Sequence, residues 1–107
     1  MAAGTVTIFG DSGRAFRGIR IITGQIVLDG SGGSPIDLSA FGAQCLGGVC
    51  SISGSAALAD DPNSISSSPS GATLNVYPWK NTSGTDPTQV ASTNNTRVID
   101  FVATMRA

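Results

Sequence analysis

The first residue able to do covalent chemistry is Ser12, in the run Val6-Thr7-Ile8-Phe9-Gly10-Asp11-Ser12-Gly13. A serine hydroxyl becomes a nucleophile only when a neighbouring base takes its proton. The usual base is histidine, and the chain has none. Gly, Asp and Ser together are also what a tight turn needs, so the segment reads as a turn between two strands. Cys45 and Cys50 are the only cysteines, separated by Leu46-Gly47-Gly48-Val49. A hairpin turning at Gly47-Gly48 would set the two sulfurs opposite each other, within bonding reach. A strand running straight through would put them on opposite faces. A reducing cytoplasm favours two small buried thiols. Two thiols with no imidazole leave a zinc site short of ligands. Asp60-Asp61 is the only adjacent carboxylate pair. It sits in a Ser/Pro-rich stretch without the ligand spacing of a calcium loop. The expectation is no catalytic residue, no metal and no cofactor.

Binding is the chemistry left. Tyr77 and Trp79 share a strand face and could stack on a sugar, though such a pair also serves as core or rim packing. Arg14, Arg17 and Arg20 form a basic cluster near the N-terminus. It reads either as a solvated edge that discourages aggregation or as a docking patch for an acidic protein surface. Net charge is −1 and the pI near 4.8, so no basic excess exists to neutralise phosphates and nucleic acid is not an expected partner. No apolar run approaches the length of a membrane helix, so no membrane is expected either. Met1 to Gly13 lacks the pattern of a signal peptide, which makes cytoplasmic synthesis the expectation. On that expectation Asn81-Thr82-Ser83 and Asn94-Asn95-Thr96 are chance matches to glycosylation acceptors.

These residues must be positioned by β-structure. Glu is absent and Lys80 is the only lysine, while Ile, Val, Thr, Gly and Ser abound. The helix formers are missing, and the strand and turn formers are present. A chain of 107 residues predicts one domain. Alternation predicts strands over Thr5–Phe9, Phe16–Leu28, Gln44–Ser53, Ala72–Trp79 and Arg97–Arg106. In the last, Ile99, Phe101, Ala103 and Met105 face the core; Asp100, Thr104 and Arg106 face solvent or a partner. Asp29–Pro35, Ala59–Gly71 and Asn81–Asn95 read as loops, and Asp37–Gly42 as a single helical turn capped by Asp37. The expected fold is all-β: a small β-sandwich or jelly-roll-like domain with long polar loops. Residues 1–13 would be an N-terminal arm with the first short strand, and 14–107 the sandwich. Phe16–Leu28 is apolar on both faces, as if one face met a neighbouring chain.

The order of these segments resembles the small head-decoration (cement) proteins of tailed bacteriophages. Arg17 to Leu28 looks like that family's first long strand. Asp37-Leu38-Ser39-Ala40-Phe41-Gly42 with the run to Ser53 is similar to its turn-then-strand element. Asn94 to Ala107, with Asp-Phe-Val-Ala near its centre, looks like its closing strand. The resemblance implies a homotrimer made in the host cytoplasm that binds the major capsid protein on the outside of an icosahedral virion. Thr5, Val6, Ile8, Arg14, Arg17, Arg20, Tyr77 and Trp79 are the candidate capsid or subunit contacts. A phage fibre or surface module that binds carbohydrate through Tyr77, Trp79 and the following loop is the alternative. Val6 to Gly13 also resembles the first block of GDS-type serine esterases and echoes the Gly-Asp-Ser-Gly of trypsin-like proteases. A Ser12-dependent hydrolase is therefore a third reading, for which the base is missing and the chain too short.

Overall fold

Strand β2 (Ile19–Val27) and strand β8 (Val98–Arg106) pair antiparallel along their whole lengths, from Ile19 opposite Arg106 to Val27 opposite Val98. They form the centre of a front sheet. Its edges are β1 (Val6–Asp11), beside β2, and β4 (Gln44–Ile52), beside β8. The back sheet is built on β6 (Thr73–Asn81). It pairs on one side with β5 (Ser64–Ser70), and on the other with β3 (Ser34–Asp37) and, further along, β7 (Gln89–Ala91). The computed structural model describes residues 2–13, 18–54 and 62–106, and none of these is helical. The protein is an all-β chain of two antiparallel sheets, compatible with a small β-sandwich.

Period-two alternation gives β2, β6 and β8 one apolar face each, and these faces build the core. Ile22 and Ile26 of β2, with Leu28 beyond it, line up with Ile99, Phe101, Ala103 and Met105 of β8, all buried. Leu74 and Val76 of β6 and Ile36 of β3 close over them from the back sheet. Each such aliphatic side chain contributes roughly 1.5–3 kcal/mol on burial, which offsets the cost of ordering a chain with few aromatics. The sheets meet closely at Gly48, where a Cβ would lie 2.7 Å from a Leu74 methyl. At that edge the layers are also tied by polar contacts. Cys45 N–H donates to Gly71 O (2.6 Å) and Ser67 Oγ donates to Gly48 O (3.2 Å).

Several expectations change. The Ser-rich run is no loop from end to end: residues 64–70 are β5, held by pairing along β6. Asn81–Asn95 contains β7, and its tip is bonded to itself, Thr82 N–H and Oγ1 both donating to Thr88 O. Ser34–Asp37 is a strand. Beyond it, Ser39 N–H donates to Asp37 Oδ1 (3.0 Å) and Phe41 N–H to Leu38 O (2.9 Å), so the residues read as a helical turn make a tight turn instead. Gly10 and Asp11 belong to β1, the first strand, which pairs with β2 at the edge of the front sheet. The Asp60-Asp61 pair lies outside the described residues. At the cysteines, β4 runs straight through but carries a bulge between Cys45 and Gly47, where Gly47 takes a φ of 151°. The extra residue restores parity, so both thiols point inward. Cys45 lies opposite Met105 and Cys50 opposite Phe101. Those partners are four residues apart on one strand, about 13 Å, so the two thiols are free.

Candidate functional site

The molecule presents two outer sheet faces of opposite chemistry. On the front sheet the outward positions of β2 are Ile19, Ile21, Thr23 and Gln25, and those of β8 are Asp100, Val102, Thr104 and Arg106. The register turns these into rows across the sheet. One row runs Phe9 and Gly10, Thr23, Val102, Val49. Its apolar members are open to solvent: Phe9 is 64% exposed, Val49 73% and Val102 44%. Ile19 and Leu46 add exposed apolar surface to the same sheet. An adjacent row is polar and internally satisfied, with Gln25 Nε2 donating to Asp100 Oδ1 at 2.8 Å. Large exposed apolar side chains concentrated on one sheet mark a docking surface more than scattered ones do.

Two edge-strand bulges shape this face. In β1 the register slips between Ile8 and Gly10, so Phe9 is the inserted residue. In β4 it slips at Leu46. A bulge places an extra residue against one partner and bends the strand. Beyond the first bulge Asp11 comes opposite Ile22, an inward position, and pairs with Arg20 (Oδ1 to Nε 3.5 Å). Arg20 also donates to Phe41 O at 3.1 Å. That arginine closes the end of the core, with a quarter of its side chain left exposed. Arg14 and Arg17 lie outside the described residues.

The back sheet's outer face is polar. Ser64, Ser66, Ser68 and Ser70 of β5 stand opposite Trp79, Tyr77, Asn75 and Thr73 of β6. Trp79 Nε1 donates to Ser66 Oγ (2.9 Å). Asn81 Oδ1 accepts from Asn63 Nδ2 (3.0 Å) and from Gln89 Nε2, whose Oε1 accepts from Ser64 Oγ (3.2 Å).

The remaining predicted residues sort as follows. Tyr77 and Trp79 are brought together. Val6 and Ile8 pack against the core, so their side chains are used inside; Thr5 holds β2 through its carbonyl, which accepts from Val27 N–H (3.0 Å). Ser12 follows β1 and is bonded to β2: its N–H donates to Ile21 O (3.0 Å), its Oγ accepts from Ile21 N–H (2.9 Å), and that Oγ donates to Gly13 O (3.2 Å). Phe9, Val49 and Val102 are absent from the predicted contacts. For Val102 the signal was available: a β-branched apolar residue at an outward position between Asp100 and Thr104. For Val49 and Leu46 the bulge hides the parity. Among the described residues no cluster of three or more Cys, Asp or Glu could hold a metal ion, and no helix is long and apolar enough to cross a membrane. No family model matches the chain, and comparison with curated proteins and with solved structures finds no match.

Proposed function

We propose that this protein is a non-enzymatic virion component that binds the outside of a phage capsid and stabilises it, docking through the outer face of the front sheet. The observation that carries this reading is the solvent-open band Phe9–Thr23–Val102–Val49. The resemblance of segment order to head-decoration proteins supplies the partner, the major capsid protein, and the homotrimeric state. Three strands about 30 Å long and one about 20 Å long, spaced about 4.8 Å apart, give a face of roughly 500 Å². A standard interface buries about 800 Å² per partner, so one copy docks weakly. Three linked copies engaging neighbouring capsid subunits would gain the rest by avidity. A protein that binds the assembled lattice better than separated subunits stabilises the lattice by linkage.

The test mixes purified protein with capsids that lack it, pellets the capsids and then heats them. Bound capsids should open at a higher temperature. Val102→Asp should leave the fold intact, because the site is exposed. It should weaken binding by about a hundredfold or more, since an unpaired carboxylate would be buried at the contact. Protein that stays in the supernatant, or binds equally well with Val102→Asp, removes this reading.

A further inference from the structure

We infer that the outer face of the back sheet is a binding platform for an uncharged oligosaccharide, centred on Trp79 and Tyr77. Both rings stand on β6, two residues apart and so about 7 Å along the strand, and each is half-buried rather than covered. What flanks them is small on both sides. Trp79 has Ser64 opposite on β5 and Ala91 opposite on β7. Tyr77 has Ser66 opposite on β5 and Gly33 against its ring, where a Cβ would come within 3.1 Å. Among the described residues these cross-strand partners are too small to roof either ring, so a lane of two half-buried aromatics runs along the strand. A sugar presents C–H groups of partial positive charge, and these suit the negative face of an aromatic ring.

The fringe of the lane has the other half of sugar recognition. Asn63, Asn81 and Gln89 hold one another by side-chain hydrogen bonds, and Ser64 anchors Gln89. This fixes the amides in place, so little side-chain freedom is lost on binding. It also leaves the amide NH2 of Asn81 and the amide oxygen of Asn63 with no partner among the described residues. Planar amides, with a donor and an acceptor side by side, match vicinal hydroxyls. Ser66 orients the indole through Nε1. The outward side chains around the lane, from Ser64 and Ser66 across to Gln89 and Ala91, carry no formal charge. That charge pattern favours a neutral ligand over a sialylated, sulfated or phosphorylated one. The Ser-rich composition of β5, which gives a poor strand by propensity alone, acquires a purpose as a row of hydroxyls beside the rings.

Trp79 is the only tryptophan in the chain, so its fluorescence reports directly on the platform. The full-length protein is titrated with cellohexaose, maltohexaose, mannohexaose and chitotetraose, with a hexagalacturonate as the charged control. At least one neutral sugar should change the emission saturably below about 10 mM, the weak end of useful affinity, and the charged control should not. By calorimetry Trp79→Ala should abolish that binding and Trp79→Phe should restore part of it. Gln89→Ala, on the exposed hairpin, should weaken it about tenfold. Circular dichroism confirms that each variant folds, and the Gln89 variant keeps the test open should Trp79→Ala not fold. Absence of saturable binding across the panel overturns the inference. So does binding confined to the charged sugar, or binding that Trp79→Ala leaves unchanged. None of these results bears on capsid docking, which uses the opposite sheet.

Discussion

Gly24→Ala separates the structure from simple propensity, because the two predict opposite signs. In a strand of ordinary surroundings this change stabilises by about 0.4–1 kcal/mol, chiefly by reducing the freedom of the unfolded chain. Here a Cβ on residue 24 would lie 2.2 Å from the Thr7 carbonyl oxygen and 3.0 Å from Phe101 Cζ. The second contact can be relieved by a small ring shift. The first is with backbone of the paired strand, so β1 must move away from β2 or the glycine position must buckle. Overpacking of this kind costs about 1–3 kcal/mol, and contact with backbone argues for the upper end. Set against a total stability of about 5–15 kcal/mol for a domain, a net loss of about 2 kcal/mol lowers Tm by roughly 8–16 °C. The loss should also be local. Hydrogen exchange should accelerate across β1 and its partners in β2, while amides shared by β8 and β4 keep their relative protection. A variant as stable as the parent, or more so, would mean that Ile8 is not opposite Gly24 and that the β1–β2 register is misplaced.

Phe101→Ala should cost about 3–5 kcal/mol, because the ring is buried and spans the space that Gly24 leaves on one side and Cys50 on the other; a melting temperature within a few degrees of the parent would refute its core role. Burial pushes the Cys50 thiol up, with a Ser67 hydrogen bond only partly opposing it. Native protein at neutral pH should therefore react slowly with iodoacetamide and show two thiols once unfolded; a Cys45–Cys50 disulfide under non-reducing conditions would contradict the register of β4. Asp29 stands at the crossing between the sheets: burial acts to raise its pKa, but hydrogen bonds from Ser31 and Ser34 outweigh this and hold the carboxyl below its ordinary value. A depressed folded-state pKa gives stability that is present above the unfolded value and lost as pH falls through the folded one. The stability gap between the parent and Asp29→Asn should accordingly narrow on acidification below the ordinary carboxylate range, and a gap that is constant with pH would exclude the carboxylate's role.

How far the fold was legible follows from which term decides each element. Strand β8 alternates without interruption, and its four inward residues were readable because a central strand is decided by its own pattern. Leu74 and Val76 of β6 were readable for the same reason. Strand β5 was not, because serine prefers turns and only pairing along β6 overrides that preference. Strand β3 is short, Pro35 interrupts its pattern, and Ile36 alone gives it a core side chain; the tight turn after it has the same Asp-led chemistry as a helix start. Of the candidate contacts, Tyr77 and Trp79 were legible as a pair by parity. What was not legible was the small character of every neighbour across the ladder, since that depends on register with β5 and β7, which no local pattern encodes. Arg14, Arg17 and Arg20 looked like one cluster by spacing, yet Arg20 lies on the inward parity of β2, opposite Met105, and the Phe9 bulge brings Asp11 round to pair with it.

The two bulges connect sequence irregularity to the docking proposed for the front sheet. Without an inserted residue at Phe9, strict alternation would send Asp11 outward and part it from Arg20. Without one at Leu46, Cys45 and Cys50 could not both point inward. In each edge strand the inserted residue is apolar, so the same irregularity that keeps the interior consistent adds apolar surface to the front sheet. Bulged edges also resist the addition of a further strand, and β4 is in addition tied to the back sheet through Gly71 and Ser67. The front sheet is thus poorly made for partners that join edge to edge and well made for partners that lie across its face. An interaction that depended on β1 leaving to complete a neighbour's sheet would give up its pairing with β2 and the packing of Val6 and Ile8 against the core. Docking across Phe9, Val102 and Val49 requires no such exchange: the sandwich stays whole, and the surface covered is surface that water otherwise meets at a cost of roughly 25 cal/mol per Å².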